Sequence, residues 1–201
     1  MLDILPRTFY DRDTLEAARD LLGRDLVRVL EDGTELICRI TETEAYIGRM
    51  DKACHAYQYK RTPRTQTLFA PPGTAYIYLI YGMYSCLNLV TEGEGEPAAV
   101  LIRGAVPVEN GDIIAKNRFG CKQKEMSACQ KKNFLNGPGK LCRGLRLTRE
   151  QNGLDLTSRD GGLYLLPGGP PDTERIFAGK RIGIDYAQEA ADFPWRFWYE
   201  P

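Results

Sequence analysis

The stretch RITETEAYIGRMDKACH, from Arg39 to His55, places carboxylates where the apolar face of a strand should continue. We read Glu35 to Ile47 as a β-strand, whose side chains alternate between two faces. If no bulge intervenes, one face carries Leu36, Cys38, Ile40, Glu42, Glu44 and Tyr46. That face turns from apolar to acidic and then aromatic, so we expect Glu42 or Glu44 to lie where the core opens into a pocket.

The two carboxylates have two interpretations. An ionised carboxylate near a pocket is costly unless it is paired or hydrogen-bonded, and ionisable groups retained there often carry out chemistry. The same acidic pattern is also typical of a strand end that has reached solvent. This stretch alone leaves both interpretations open.

The size and composition of the chain limit the class of protein. With 201 residues and a formal net charge of zero, the chain can form one large domain or two small ones and lacks a strong uniform field. No stretch approaches the roughly 20 apolar residues of a membrane span, and the start lacks the pattern of an export signal. We therefore expect a soluble, intracellular protein.

The six cysteines show no CxxC pair, and His55 is the only imidazole available as a metal ligand. Neither zinc-finger nor catalytic-zinc spacing is present. We expect reduced structural thiols, because a disulfide framework requires an oxidising compartment.

The segments before and after the acidic strand frame it. Asp13 is a predicted helix N-cap, with Glu16 three residues later as in a capping box. The strands Arg24 to Leu30 and Glu35 to Ile47 are joined through Asp32-Gly33, a strong hairpin signal. Residues 51–72 form a long polar and basic loop, and loops of that length inside a domain are often functional.

The most aromatic stretch is TAYIYLIYGMYSCLNLV, from Thr74 to Val90. It predicts a hairpin, because Gly82 permits the chain to reverse. Most of its tyrosines are explained as ordinary strand residues. Tyr81 at the tip, beside Met83, is less easily explained, since a bulky aromatic side chain there has little to pack against.

Cations are concentrated in one part of the chain. Between Ala115 and Arg149 the single acid Glu125 faces ten cations: Lys116, Arg118, Lys122, Lys124, Lys131, Lys132, Lys140, Arg143, Arg146 and Arg149. We call residues 115–149 the basic segment. A charge run is usually a solvated surface. Here Lys140 follows a Gly-rich helix start, which favours anion binding.

Two shorter segments complete the pattern. AAVLIRGA, from Ala98 to Ala105, predicts a buried strand whose Arg103 needs a carboxylate or an anion, with Glu44 as a candidate. The aromatic run from Phe193 to Tyr199 is predicted to close the core.

Four motifs occur in order along the chain: TETEAYIG with His55 downstream, YIYLIYGMYSCLN, LIRGA and NGPGKLCRGL. Together they resemble the alkyladenine (3-methyladenine) DNA glycosylases from about Arg7 to Tyr199. The resemblance implies a single compact α+β domain over residues 1–201, with a curved antiparallel β-sheet flanked by helices and a protruding β-hairpin.

The resemblance also implies the catalytic residues. Glu44 matches the general base that activates water, and Arg103 matches the residue that helps to hold this water. The backbone carbonyl of Ile182 matches the third contact of the water. Glu44 is therefore preferred over Glu42 by the motif match.

Further positions match residues that bind substrate and DNA. Tyr46 matches the residue that stacks on one face of the flipped base, and His55 and Tyr78 match those on the other face. Asn88 matches the residue that discriminates against normal guanine. The predicted DNA-binding residues, with Tyr81 as the side chain inserted into the duplex, are Tyr81, Met83, Gly139 and Lys140.

The predicted activity is that of a monofunctional DNA glycosylase, which removes alkylated or deaminated purines from duplex DNA in base excision repair. We expect a monomer that needs no cofactor or metal and does not bind membranes. Its expected location is the cytoplasm, with the nucleoid in a bacterium or the nucleus in a eukaryote.

Two other classes of protein share parts of this pattern. A non-catalytic nucleic-acid-binding module would use the aromatic hairpin and the basic segment. A hydrolase of free nucleosides would keep Glu44 but have no use for Tyr81 or the basic segment.

Overall fold

One antiparallel sheet carries the fold in this computed structural model, which describes residues 3–201. Within that range the strands are β1 (Asp25–Val29), β2 (Glu35–Ile47), β3 (Ala75–Ile80), β4 (Tyr84–Val90), β5 (Ala98–Glu109), β6 (Leu163–Leu166), β7 (Phe177–Gly179) and β8 (Arg196–Trp198). The main path of the sheet is β3-β4-β5-β2-β1-β6, and β8 pairs with both β2 and β7. The predicted strands on either side of Asp32-Gly33 are confirmed as β1 and β2.

Short helices pack on this sheet. The described α-helices are α1 (Arg7–Tyr10), α2 (Thr14–Asp20), α3 (Gly111–Phe119), α4 (Ala128–Lys132) and α5 (Pro138–Gly144). Single 3₁₀ turns or short 3₁₀ helices lie at Tyr57–Tyr59, Gln66–Phe69, Gln123–Glu125, Arg149–Gln151, Thr173–Arg175 and Asp185–Asp192. The predicted N-cap is confirmed, because the Asp13 side chain accepts hydrogen bonds from the N–H groups of Leu15 and Glu16. The predicted single α+β domain is confirmed.

The main core lies between the helices and one face of the sheet. It contains Leu21 and Leu22, which follow α2, together with Leu36, Ile40 and Val100. Phe197 and Tyr199 belong to the same cluster and are 1% and 7% exposed. The C-terminal aromatic run therefore closes the core, as predicted.

The pairing of β2 with β5 is irregular at the acidic residues. Ile40 pairs with Ala105, Glu42 with Gly104 and Thr43 with Ile102. Thr41 is thus an extra residue on β2, and Arg103 is an extra residue on β5. An extra residue of this kind is a β-bulge, and it changes which side chains face the core.

The prediction that Glu42, Glu44 and Tyr46 continue the face of Leu36, Cys38 and Ile40 is therefore wrong. Beyond the bulge, the core face is taken by Thr43, whose hydroxyl donates to the Ala18 carbonyl of α2 at 2.8 Å, and by Ala45. Because the alternation has shifted by one residue, Glu44 and Tyr46 lie on the opposite face of the sheet.

The opposite face is covered by loops and short 3₁₀ segments rather than by α-helices. Residues of the 51–72 loop, including Cys54 and Leu68, pack with Tyr76, Val90 and Ala99 in one cluster. A second cluster joins Ala53 to Ile184, Ala187 and Ala190, and Tyr46 packs against both clusters. The acidic end of β2 is therefore buried on both of its faces.

β3 and β4 form the predicted hairpin, with Ile80 paired to Tyr84 and three residues between them. Tyr81 and Gly82 have positive φ values of 52° and 69°. Tyr81 is 83% exposed and Met83 is 68% exposed. That the hairpin protrudes from the domain stays a prediction.

All six cysteines are free thiols, and Cys38, Cys54, Cys86 and Cys142 are buried. None of the helices described in residues 3–201 combines the length and apolar composition needed to cross a membrane.

Candidate active site

The candidate site is built around Glu44, whose side chain is completely buried. Its Oε1 accepts a hydrogen bond from the backbone N–H of Ile182 at 2.9 Å. Its Oε2 accepts one from the Tyr46 hydroxyl at 2.8 Å. Each carboxylate oxygen therefore has a donor that fixes its direction.

Arg103 lies between Glu42 and Glu44 of β2. Its Nε donates to Glu42 Oε1 at 3.1 Å and lies 3.6 Å from Glu44 Oε1. Arg196 of β8 places its Nε 3.6 Å from the same Glu42 oxygen. The predicted partner Glu44 is present, but Glu42 is the nearer one, because both bulges turn these side chains toward one another.

Burial raises the pKa of Glu44 above its ordinary value. Three contacts act in the opposite direction: the positive charge of Arg103, the Ile182 N–H and the Tyr46 hydroxyl. The negative charge of Glu42 adds to the effect of burial. This carboxyl group therefore combines a basicity above that of a solvated glutamate with contacts that favour its ionised form.

A fully buried ion pair holds the Ile182 loop against β2. Arg181 donates through Nη2 to Asp51 Oδ1 at 2.8 Å and to the Ala190 carbonyl at 3.0 Å. Its Nη1 donates to the Ala45 carbonyl at 2.7 Å and also contacts Asp51. Because Arg181 precedes Ile182, this pair fixes the N–H that binds Glu44.

An aromatic pocket lies next to Glu44, on the side of the Tyr46 ring. It is narrow, and its lining consists of Tyr46, Ala53, Cys54, His55, Leu68, Tyr76, Tyr78, Asn88 and Ala99. We call it the aromatic slot. All four predicted substrate-binding residues, Tyr46, His55, Tyr78 and Asn88, therefore line one pocket.

The two ends of the His55 ring have different partners. Nδ1 lies 3.1 Å from the Tyr76 hydroxyl, and Arg64 donates to Nε2 at 3.2 Å. Burial, together with the smaller effect of the positive charge of Arg64, lowers the pKa of His55 to about 4. His55 is therefore a neutral wall of the slot at pH 7, with Nε2 as acceptor and Nδ1–H directed to Tyr76.

The predicted DNA-binding residues lie apart from the slot. Lys140 donates to the side-chain oxygens of Asn133 and Asn136, each at 2.9 Å. Gly139 lies against the Tyr84 ring, where an added Cβ would be 2.9 Å from Tyr84 Cβ. Gly139 thus permits α5 to approach the hairpin beside the turn that carries Tyr81.

Sequence reasoning missed four parts of the site: Asp51, Arg64, Tyr76 and Arg181. For two of them, a place next to predicted site residues could have pointed to the site. Asp51 lies between Tyr46 and His55 in the sequence, and Arg181 directly precedes Ile182. Among residues 3–201, no group of three or more His, Cys, Asp or Glu side chains is placed to hold a metal ion.

Comparison with known proteins gives a consistent result. Residues 8–201 match the family model described as methylpurine-DNA glycosylase. Relatives named "Putative 3-methyladenine DNA glycosylase" include one from Methanocella arvoryzae, 51% identical over 98% of this chain and 92% of its own. Another, from Clostridium perfringens (strain SM101 / Type A), is 49% identical over 96% and 94%. A third, from Bacillus cereus (strain Q1), is 46% identical over 97% and 95%.

The buried pair of Arg181 and Asp51 generates a prediction for stability. Asp51→Asn should lower the free energy of unfolding by about 3–5 kcal/mol, because it leaves a buried guanidinium without its counter-charge. Urea denaturation measures this change. The double variant Arg181→Met/Asp51→Leu should be less destabilised than Asp51→Asn, since it removes both charges.

The exposed pair of Lys180 and Asp192 supplies a matched control, with side chains 69% and 72% exposed. Asp192→Asn should leave the free energy of unfolding nearly unchanged. If Asp51→Asn behaved like Asp192→Asn, the buried pair would not be holding the loop.

His55 generates a prediction for pH, and it is the only histidine in the chain. Its ring resonances should titrate near pH 4 rather than 6.5, and Arg64→Gln should raise the midpoint. The unfolded state takes up a proton below pH 6.5, while the folded state does so only near pH 4. Stability from this residue is thus present above pH 6.5 and lost between pH 6.5 and about 4.

NMR of the single ring gives the midpoint without assignment, and denaturation at several pH values gives the stability. His55→Gln should flatten the loss of stability across this pH range. A midpoint near 6.5 would contradict the buried, neutral imidazole.

Proposed function

The chain belongs to the methylpurine-DNA glycosylase family, and we propose that it removes damaged purines from duplex DNA by a water molecule that Glu44 activates. Family membership makes it a hydrolase of N-glycosyl bonds. The observation that carries the proposal is the junction of a fully buried, hydrogen-bonded carboxylate with an aromatic slot.

The target nucleotide must first leave the duplex. A stacked base hides its glycosidic bond, and turning it out costs a few kcal/mol. Tyr81, exposed at the tip of the β3–β4 hairpin, would occupy the vacated space. The base would then enter the aromatic slot, with Tyr46 on one face and His55 and Tyr78 on the other. Each stacked base is typically stabilised by about 1–3 kcal/mol.

The chemistry would take place at the Glu44 end of the slot. Glu44 accepts a proton from the attacking water, and the water oxygen bonds to C1′ of the sugar as the bond to the base nitrogen breaks. The Arg103 guanidinium and the Ile182 carbonyl would hold this water. The carboxylate charge also stabilises the oxocarbenium-like sugar of the transition state. The purine leaves with the bonding electron pair.

We further propose that the enzyme is monofunctional and leaves an abasic site. The described groups around Glu44 supply no lysine, so water rather than an amine is the nucleophile. Asn88 is held by its Nδ2, which donates to the Tyr76 carbonyl at 3.1 Å. This fixed amide lines the slot, where it could contact the polar edge of a bound purine. We propose that it rejects normal guanine.

Contacts outside the slot would position the duplex. Lys140 and the rest of the basic segment supply positive charge for phosphates, which gives affinity without reading sequence. A hydrolase of free nucleosides would not need these cations or an exposed Tyr81. A binding module would not need a buried carboxylate. The combination therefore favours a DNA glycosylase over both alternatives.

Glu44→Gln tests the catalytic assignment. Base release from a duplex that contains hypoxanthine should fall at least 10²- to 10⁴-fold, because one acid–base group typically contributes that factor. Binding to the same duplex should be retained. Single-turnover assays with alkali cleavage of abasic sites measure the rate, and gel shifts measure binding.

Glu42→Gln is the comparison variant, because Glu42 shares Arg103 but lies partly exposed, with 21% of its side chain accessible. It should reduce the rate less than Glu44→Gln does. Wild-type rates in Glu44→Gln, with loss in Glu42→Gln, would transfer the catalytic role to Glu42.

Tyr81→Ser tests the proposed insertion into the duplex. Since Tyr81 is 83% exposed, its truncation should leave the melting temperature almost unchanged. Base release should fall most for lesions that stack and pair well and least for a lesion opposite a mismatch, because the vacated stack is no longer filled. Equal losses on both duplexes with a large drop in melting temperature would show that Tyr81 is structural.

A further inference from the structure

The two aromatic walls of the slot are each backed by a guanidinium group. Arg181 lies over the Tyr46 ring, with Cζ 4.7 Å from the ring centroid. Arg64 lies over the Tyr78 ring at 5.2 Å and also donates to His55. Arg64 lines an outer groove with Tyr78, Arg149 and Asn152, so it lies beside the slot rather than inside it.

These two cations differ in their counter-charge. Arg181 is paired with Asp51 in the interior, so its charge is balanced by a direct partner, although it still lowers the pKa of Tyr46 against the effect of burial. Within the described residues, no carboxylate lies within 4.0 Å of the Arg64 guanidinium. Arg64 contacts the neutral imidazole of His55, the Tyr78 ring and the Tyr76 hydroxyl, none of which neutralises its charge.

The titratable groups that line the slot are themselves uncharged at pH 7. Burial raises the pKa of Tyr76 and of Cys54 to about 12 each, and raises those of Tyr46 and Tyr78 as well. His55 is neutral because its pKa is lowered to about 4. The positive charge of Arg64 opposes burial at Tyr76 and Tyr78, so its field reaches the slot.

Of the anions around the slot, Asp51 is paired with Arg181, and Glu44 belongs to the sugar end of the slot. It contacts the Tyr46 hydroxyl, and Arg103 lies 3.6 Å from it. Glu42 is occupied by Arg103 and Arg196. At the wall formed by His55 and Tyr78, the charge of Arg64 is therefore not balanced.

We propose that Arg64 sets the charge preference of the slot, disfavouring cationic alkylpurines and favouring neutral damaged purines. This inference rests on the proposed function. A cation is attracted to the face of an aromatic ring, but a ring that already carries a guanidinium on another side attracts a second cation less. The like charges also repel directly. A neutral purine keeps its stacking and does not meet this repulsion.

The repulsion by Arg64 weakens binding of a cationic purine, but it does not make this purine a poorer leaving group. A cationic purine leaves easily once it is bound, because departure neutralises its charge. A neutral purine leaves less readily and depends more on the slot and on Glu44. Arg64 would thus reduce the difference between the release rates of cationic and neutral damaged purines.

Arg64→Gln tests this directly, because it removes the charge and keeps a polar side chain with N–H donors. The assay compares single-turnover release from two duplexes of one sequence, carrying hypoxanthine as the neutral lesion or 7-methylguanine as the cationic one. Mildly acidic buffer keeps 7-methylguanine charged. The ratio of the cationic rate to the neutral rate should rise on the order of fivefold, since Arg64 is exposed and partly screened.

Two control variants separate charge from structure. Arg64→Lys keeps the charge and should keep the wild-type ratio. Arg61→Gln removes an arginine from the same loop, one that lies over Phe69 at 4.2 Å and not at the slot, and it should also keep the ratio.

An unchanged ratio in Arg64→Gln, with equal loss on both duplexes, would overturn the proposal and show that Arg64 binds a phosphate or supports the loop. A ratio that falls would overturn it as well. If the wild-type protein released neither base, the proposed function itself would fail, which is a different result.

Discussion

The paired bulges at Thr41 and Arg103 are the constraint on which the rest of the structure depends. A regular ladder would have left Glu44 on the face of Leu36 and Ile40, inside the main core. A bulge shifts the alternation by one residue, so the same strand fills the core with Ala45 and presents Glu44 to the opposite face. The second bulge turns Arg103 toward the same place. These two bulges thus bring the acid and its cation together.

Burying these charges requires that each one has its own partners. Glu44 has the Ile182 N–H, the Tyr46 hydroxyl and nearby Arg103, while Arg181 has Asp51 and two backbone carbonyls. A buried charge without such contacts is strongly destabilising. The two sets are linked, because Arg181 and Ile182 are neighbours in the chain. The group that would carry out the chemistry is therefore held by the same loop that closes the face of the sheet.

Rigid and exposed parts of the proposed site are separated in space. Glu44 and the walls of the aromatic slot are fixed by packing on both faces, as a site that must orient a base and a water would need. Tyr81 lies at an exposed turn with a left-handed backbone, a conformation that is uncommon for a residue with a side chain. It contributes little to the core, so the contact that would open the duplex is independent of the contacts that hold the catalytic group.

The sequence by itself determined the main secondary-structure elements and named candidate site residues. Turn residues, capping and period-two patterns located α2, β1, β2 and the β3–β4 hairpin, because these signals are local. Motif resemblance named Glu44, Arg103 and four residues of the slot, Tyr46, His55, Tyr78 and Asn88. Only the tertiary structure decided which face carries Glu44, since a bulge depends on the partner strand. It alone also revealed that Asp51 meets Arg181 and that Arg64 reaches His55 from a loop. Asp51 and Arg181 are far apart in the chain, and the contact of Arg64 with His55 depends on the path of a loop. Periodic sequence patterns encode neither contact.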